Sequence, residues 1–234
     1  MKVERYILLL VFLLPACASM TAGHYNTYQT AQTLPKGKTA TGIGIGALSA
    51  SLPMDGHVFL AFSPEGWLRY GVAERVEVGF RAYPFGISAE AKMLLIEGGP
   101  EKPSLALAPG CGYSRMESTG NEYYEMSWGI LGSLPLIISI PIQGGNVVYF
   151  GPKFQYMFSA DSSGYPKDMR TTFIGGFFGV AVKKGKVVYM PEISFFSYTI
   201  RYTYEYSWSG GRVEYTFKES GDILFPGLGI SMAF

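Results

Sequence analysis

The chain has 234 residues, enough for one domain, and carries a formal net charge of +1. Charged residues make up 16% of it and aromatic residues 15%, with 30 glycines. This aromatic content excludes a disordered chain, and the lack of basic excess excludes a nucleic-acid partner. Because aromatic residues favour strands and glycine weakens helices, the composition favours a β protein.

The N-terminus has the pattern of an export signal. Lys2 and Arg5 precede an apolar run over residues 6–14, and small residues follow that run. The run is too short to cross a bilayer as a helix, which needs about 20 apolar residues. The pattern predicts a secretory signal peptide over residues 1–16.

Cys17 is the predicted lipidation site. The sequence Leu14-Pro15-Ala16-Cys17 resembles the lipobox of bacterial lipoproteins. The resemblance implies a diacylglycerol thioether on Cys17, cleavage just before it, and acylation of the new amine, for instance palmitoylation. It also implies the lipoprotein processing and sorting machinery as a partner, with Ala18 directing the protein to the outer membrane. Ordinary cleavage after Ala18 is the alternative, because Ala16-Cys17-Ala18 fits the signal peptidase pattern.

The rest of the chain divides into a tether and a strand-rich domain. Residues 17–38 are polar and carry no period, which predicts an acylated N-terminal tether in the periplasm. From Thr39 onward apolar and polar or glycine residues alternate with period two, which is typical of strands. Within residues 39–234 this alternation predicts ten strands, at 39–50, 65–72, 74–84, 87–96, 103–115, 123–142, 145–159, 170–183, 186–199 and 223–234.

The connections between these strands alternate in length. Short ones lie at 73–74, 97–102, 143–145 and 183–186, and longer ones at 51–64, 116–122, 160–169 and 200–221, with 85–86 as the exception. Short periplasmic turns and long outer loops are typical of outer-membrane barrels. The predicted fold is therefore all-β: a closed, antiparallel, up-and-down transmembrane β-barrel of about ten strands, in contact with membrane lipids.

The alternation separates ionic from apolar side chains. A sheet in hydrocarbon must close on itself, and its outer face must be apolar, whereas its inner face can be polar. In residues 75–82, Val76, Val78, Phe80 and Ala82 share one side, and Arg75, Glu77 and Arg81 share the other. The pattern predicts a lumen charge network of Arg69, Glu77, Arg81, Glu90, Lys92, Lys153 and Glu192. Aromatic girdles at the interfaces are expected from Trp67, Tyr70, Tyr113, Trp128, Tyr189 and Tyr198, with ordinary cross-strand aromatic pairs as the alternative.

The C-terminal residues carry a second resemblance. Leu228, Ile230, Met232 and Phe234 alternate up to a terminal aromatic residue, and this segment resembles the closing strand of bacterial outer-membrane barrels. The resemblance implies that the barrel assembly machinery recognises it. Residues 69–79 also resemble a strand-turn-strand of uncharacterised outer-membrane barrel proteins, which names no activity.

Four prolines weigh against the barrel. Pro109, Pro152, Pro191 and Pro226 fall inside predicted strands, where proline cannot donate a ladder hydrogen bond. A soluble β-sandwich is the alternative fold.

No chemistry is recognisable in the sequence. His24 and His57 have no neighbours that would form a catalytic triad, and Asp55 near His57 is more typical of a solvated loop. We expect no metal, no cofactor and no catalysis. Three hypotheses remain: a structural or narrow, porin-like barrel, a lipid-modifying envelope enzyme, and a soluble periplasmic barrel lipoprotein that binds an apolar ligand.

Overall fold

The computed structural model describes residues 26–51, 58–84, 86–100, 102–119, 124–161, 168–208 and 211–233. Its strands are β1 (Thr39–Ser51), β2 (Val58–Ala73), β3 (Val76–Tyr83), β4 (Gly86–Ile96), β5 (Ser104–Leu107), β6 (Gly110–Thr119), β7 (Tyr124–Ile142), β8 (Asn146–Asp161), β9 (Asp168–Lys184), β10 (Val187–Trp208) and β11 (Gly211–Ala233). Within these ranges the helical structure consists of one 3-10 turn at Gln143–Gly145, and no helix is long and apolar enough to cross a membrane.

The strands form a closed barrel. Consecutive strands pair antiparallel, except β5 with β6, and β11 returns to pair with β1. Strands β5 and β6 share one position, because both pair with β4 on one side and β7 on the other. The barrel therefore has ten strand positions, which confirms the predicted fold. A β-sandwich is wrong, since each of the described strands has a partner on both sides.

The two faces of the sheet have opposite chemistry. Ile43 and Phe80 point outward and are 66% and 61% exposed, whereas Glu77 and Arg81 point inward and are 2% and 3% exposed. A soluble barrel would bury its apolar residues and expose its charges. An apolar exterior around an ionic interior is the distribution of a barrel that crosses a membrane.

The strands are longer than predicted at one end of the barrel. We call the end with the connections 74–75, 97–103, 143–145 and 185–186 the short-turn end, and the opposite one the extended end. At the extended end, β2 starts at Val58, and the hairpin of β10 and β11 reaches Trp208 and Gly211. The predicted loops at 51–64 and 200–221 are therefore largely strand. A membrane crossing needs only about 9–11 residues, so β10 and β11 continue beyond the bilayer.

The prolines are accommodated by gaps in the ladders. Pro109 lies between β5 and β6, where the shared strand position is interrupted. Pro152 lies in a gap of the β7–β8 ladder, Pro191 in a gap of the β9–β10 ladder, and Pro226 in a gap of the β1–β11 ladder. Each proline thus lies where one neighbour requires no amide donor.

Candidate functional site in the barrel lumen

The lumen holds part of the N-terminal region. Residues 26–34, which we call the lumen segment, lie inside the barrel, and the side chains of Thr27, Tyr28, Gln29 and Ala31 are at most 2% exposed. The structure differs here from the expected tether outside the barrel. Cys17, the rest of residues 17–25 and the signal peptide at 1–16 lie outside the described residues.

The lumen segment runs along the barrel axis. At the short-turn end, the amide of Gly37 donates to the carbonyl of Gly71 at 2.8 Å, and the hydroxyl of Thr33 donates to the carbonyl of Glu74 at 3.2 Å. At its other end, the carbonyl of Asn26 accepts from Nη1 of Arg81, two residues before the end of β3, at 2.9 Å. The segment therefore rises from the short-turn end toward the extended end.

Glu192 binds the backbone of the segment from β10. Its Oε1 accepts the amide of Thr27 at 2.6 Å, and its Oε2 accepts the amide of Tyr28 at 2.7 Å. The hydroxyls of Tyr149 and Ser194 donate to the same carboxylate at 3.1 and 2.9 Å. Four donors satisfy this buried carboxylate, and hydrogen bonds to a charged group are about twice as strong as neutral ones.

Further backbone groups of the segment also form hydrogen bonds with side chains of the barrel wall. Two more amides have acceptors: that of Ala31 donates to Oγ of Ser139 at 2.7 Å, and that of Leu34 to Oε2 of Glu77 at 2.8 Å. Three cations donate to carbonyls of the segment: Arg81 to Asn26 and Thr27 at 2.9 and 3.0 Å, Arg69 to Tyr28 at 3.1 Å, and Lys92 to Thr30 and Gln32 at 3.0 and 2.7 Å.

The cations are paired with carboxylates of the same wall. The ion pairs are Arg81–Glu65 at 3.0 Å, Lys92–Glu77 at 2.8 Å and Arg69–Glu90 at 3.4 Å. The structure thus brings six of the seven predicted network residues around the segment: Arg69, Glu77, Arg81, Glu90, Lys92 and Glu192. The seventh, Lys153, is also buried in the lumen, with Nζ 6.0 Å from the centre of the Phe196 ring. Sequence reasoning missed Glu65, although strand alternation places it on the side of Arg69.

Tyr28 anchors the segment by packing against inward-facing glycines of β1 and β11. It has the left-handed φ of 44°, its ring stacks on Trp67 at 5.5 Å between centroids, and its hydroxyl donates to the carbonyl of Ile45 at 3.0 Å. A β-carbon added at Gly44 or Gly229 would lie 2.7 or 2.9 Å from the tyrosine ring. The inward glycines of β1 and β11 therefore leave the space that Tyr28 fills.

The aromatic girdle is smaller than expected. Trp67 and Tyr198 are buried in the lumen, which corrects their assignment to the interfaces. Strand alternation places both side chains inside the barrel, since Trp67 shares a face with Arg69 and Tyr198 shares a face with Glu192. The other four, Tyr70, Tyr113, Trp128 and Tyr189, point outward and are exposed to the membrane side.

Toward the extended end, an apolar cluster lies on the lumen wall of β7 to β11, beside the buried polar side chains of Gln155 and Thr171. The side chains that meet there, the aromatic cluster, are Leu131, Met157, Phe173, Phe196, Tyr198, Ile223 and Phe225. The ring of Phe196 makes edge contacts with Phe173 and Phe225 at 6.2 and 6.1 Å between centroids. This cluster forms an apolar core beside the ionic part of the lumen.

The remaining predicted residues lie outside this site. Arg75, expected on the inner face, lies in the exposed short turn and pairs with Glu97 at 3.1 Å, because β3 starts one residue later. Leu228, Ile230 and Met232 lie on β11 and pair with β1. Phe234, His24, His57 and Asp55 lie outside the described residues. Among the described side chains, no group of histidine, cysteine and carboxylate residues is placed to hold a metal ion.

No protein-family model and no curated protein matches the sequence. Several solved structures are similar in fold. Neisserial surface protein A has 14% identity and a TM-score of 0.40, with 85% of this chain and 98% of that chain covered. The translocator domain of the autotransporter NalP from Neisseria meningitidis has 12% identity and a TM-score of 0.43, with 84% and 88% covered. A major outer membrane protein from Thermus thermophilus has 12% identity and a TM-score of 0.35, with 84% and 99% covered.

Proposed function

We propose that this protein is a non-enzymatic, integral outer-membrane β-barrel lipoprotein that acts as a narrow pore held closed by its own lumen segment. The observation that carries the proposal is the occupation of an ionic lumen by residues 26–34, which hydrogen bonds and the packing of Tyr28 against Trp67 hold in place. Water can replace these hydrogen bonds when the segment leaves, so the lumen can open without the breaking of a covalent bond.

The ionic side chains of the barrel wall support a pore rather than a purely structural core. Buried ionic groups are costly, and apolar residues of similar volume would often stabilise a purely structural core at least as well. Among the side chains that the structure describes, four acidic and four basic ones lie in the lumen, and their formal charges balance. A ten-stranded barrel has an interior only slightly wider than its side chains fill, so the permeant species would be ions or very small solutes.

A purely structural barrel is the second candidate. The aromatic cluster favours it, because packed apolar side chains near the extended end reduce the space for water. In that case the lumen segment would complete the core permanently, and no variant of the segment would open the barrel.

Planar-bilayer conductance of the refolded mature protein separates the two candidates. We expect rare, small currents from the wild type and larger, frequent ones from Tyr28→Ala, which removes the anchor of the segment. Arg81→Ala should act in the same direction. Tyr189→Ala is the matched control, because this tyrosine faces outward. Closed behaviour of folded Tyr28→Ala and Arg81→Ala would favour the structural barrel.

The proposal includes no catalysis. A lipid-modifying enzyme would change the acyl composition of lipid A or of phospholipids, so the envelope lipids of a deletion strain should match those of its parent. A lost or gained lipid species that the wild-type gene restores would contradict the proposal.

The lipoprotein part of the proposal rests on Cys17. Mass spectrometry of the protein from outer membranes should find an acylated Cys17 as the first residue, and Cys17→Ala should lose the acyl mass. An unmodified chain that begins at Ser19 would instead support cleavage after Ala18. The proposed partners are membrane lipids, the lipoprotein machinery and the barrel assembly machinery, the last through the closing strand.

A further inference from the structure

We propose that the lumen is a binding site for a polypeptide without charged side chains, and that a separate peptide can take the place of residues 26–34. The inference rests on the proposed function only in that the segment must be able to leave the lumen. Its ligand class follows from which atoms of the segment the barrel contacts.

The barrel recognises mainly the backbone of the segment. Four amides donate to Glu192, Ser139 and Glu77, and five carbonyls accept from Arg81, Arg69 and Lys92. Every polypeptide has these amides and carbonyls. Such contacts by themselves therefore recognise a peptide backbone of any sequence.

The side-chain positions add a few requirements. A tyrosine must fill the space that Gly44 and Gly229 leave beside Trp67, and a small residue must occupy the buried position of Ala31. Residues 26–34 contain no charged side chain. Since the formal charges of the described lumen side chains balance, a charged peptide side chain at a buried position such as that of Ala31 would lack a partner, which is strongly unfavourable.

The site remains organised when it is empty. Each cation that donates to the segment also has a carboxylate on the barrel wall, at 3.0 Å for Arg81, 2.8 Å for Lys92 and 3.4 Å for Arg69. These pairs hold the donors in place without the peptide. Pre-organised groups lower the cost of binding, which favours capture of a peptide from solution.

The test uses an end-blocked, fluorescently labelled peptide with the sequence of residues 26–34 and the refolded full-length protein in detergent. In Tyr28→Ala and Ala31→Lys the attached segment is weakened, but the barrel wall is unchanged. We expect saturable binding by fluorescence anisotropy to both variants, and at least about tenfold weaker binding to the wild type, whose site is occupied. Heat-shifted gel mobility identifies the folded fraction, and two variants are used because either one alone could fail to fold.

The control peptide carries N-methyl groups at the positions of Thr27 and Tyr28, which removes the two amide donors to Glu192. Loss of two charge-assisted hydrogen bonds should weaken binding by at least about tenfold. Equal binding of both peptides, or no saturable binding to either folded variant, would overturn the inference. A protein that binds the peptide but never conducts would leave the inference standing and remove the pore.

Discussion

The carboxylate of Glu192 accepts the amide proton of Tyr28 at 2.7 Å, although 164 residues separate the two in the sequence. This bond connects the segment that precedes β1 with the last hairpin of the barrel. Because the site is buried, an unpaired amide or carboxylate there would be costly, so the two groups stabilise each other's position. The segment can be held in this way only after β10 has joined the barrel.

Replacing Glu192 with glutamine should release the lumen segment. The amide side chain loses the charge that two backbone amides and two hydroxyls share, and its NH₂ group cannot accept from them. We expect a loss of about 2–4 kcal/mol in the free energy of unfolding, measured by denaturant titration in detergent, together with increased conductance.

Glu97→Gln is the control for this change. Glu97 pairs with Arg75 at 3.1 Å, but both side chains are more than half exposed. Such a surface pair contributes about 0–1 kcal/mol, so its loss should be barely measurable. Equal losses in the free energy of unfolding would show that the Glu192 hydrogen bonds stabilise the barrel no more than an exposed ion pair does.

A larger residue at Gly44 should displace Tyr28. The β-carbon of valine would approach the tyrosine ring at 2.7 Å, closer than real contacts allow. Gly44→Val should therefore destabilise the closed state and raise conductance, and adding Tyr28→Ala should recover part of the lost stability. The Trp67 ring, 3.0 Å from the added β-carbon, is then the nearest group. Gly132→Ala is the control, since its β-carbon would meet no atom closer than 3.9 Å. A double variant no more stable than Gly44→Val would refute the proposed contact.

Lys92 and Glu77 should show strong energetic coupling. Their Nζ and Oε1 atoms are 2.8 Å apart, and both side chains are 3% exposed. Lys92→Met leaves the carboxylate buried without its partner, so we expect a loss of about 3–5 kcal/mol. The double variant Lys92→Met/Glu77→Gln should recover part of this loss, which a double-mutant cycle in detergent measures. Additive effects of the two changes would contradict the pairing.

Much of the barrel could be predicted from the sequence because lipid imposes a strict rule on alternate residues. The predicted strand at 87–96 lies within one residue of β4, and the strand at 74–84 contains β3. This rule applies only to the part of each strand that crosses the membrane. Beyond it, residues 58–62 are an apolar run, and Tyr202, Tyr204 and Tyr206 alternate with polar residues. Both patterns are typical of strands, so the prediction of loops at these positions was wrong.

The lumen segment could not be predicted in this way. Its residues are polar and have no period, and their partners lie in strands far along the chain. Two signals were nevertheless present. Inward glycines such as Gly44 imply a larger group on the other side of the lumen. Glu65 also lies on the same face of β2 as Arg69. The sequence predicts that the space exists, but not that residues 26–34 fill it.

Phe195 and Phe196 provide a test of the two faces by adjacent residues of the same type. Phe196 is 1% exposed within the aromatic cluster, whereas Phe195 is 55% exposed on the membrane side. Phe196→Ala leaves a cavity among packed rings, and we expect a loss of about 3–5 kcal/mol in the free energy of unfolding. Phe195→Ala exchanges one apolar surface for another against detergent or lipid, so its effect should be much smaller. Denaturant unfolding of both variants in the same detergent measures the difference. A larger loss from Phe195→Ala would mean that the apolar exterior and the packed interior are assigned to the wrong sides of β10.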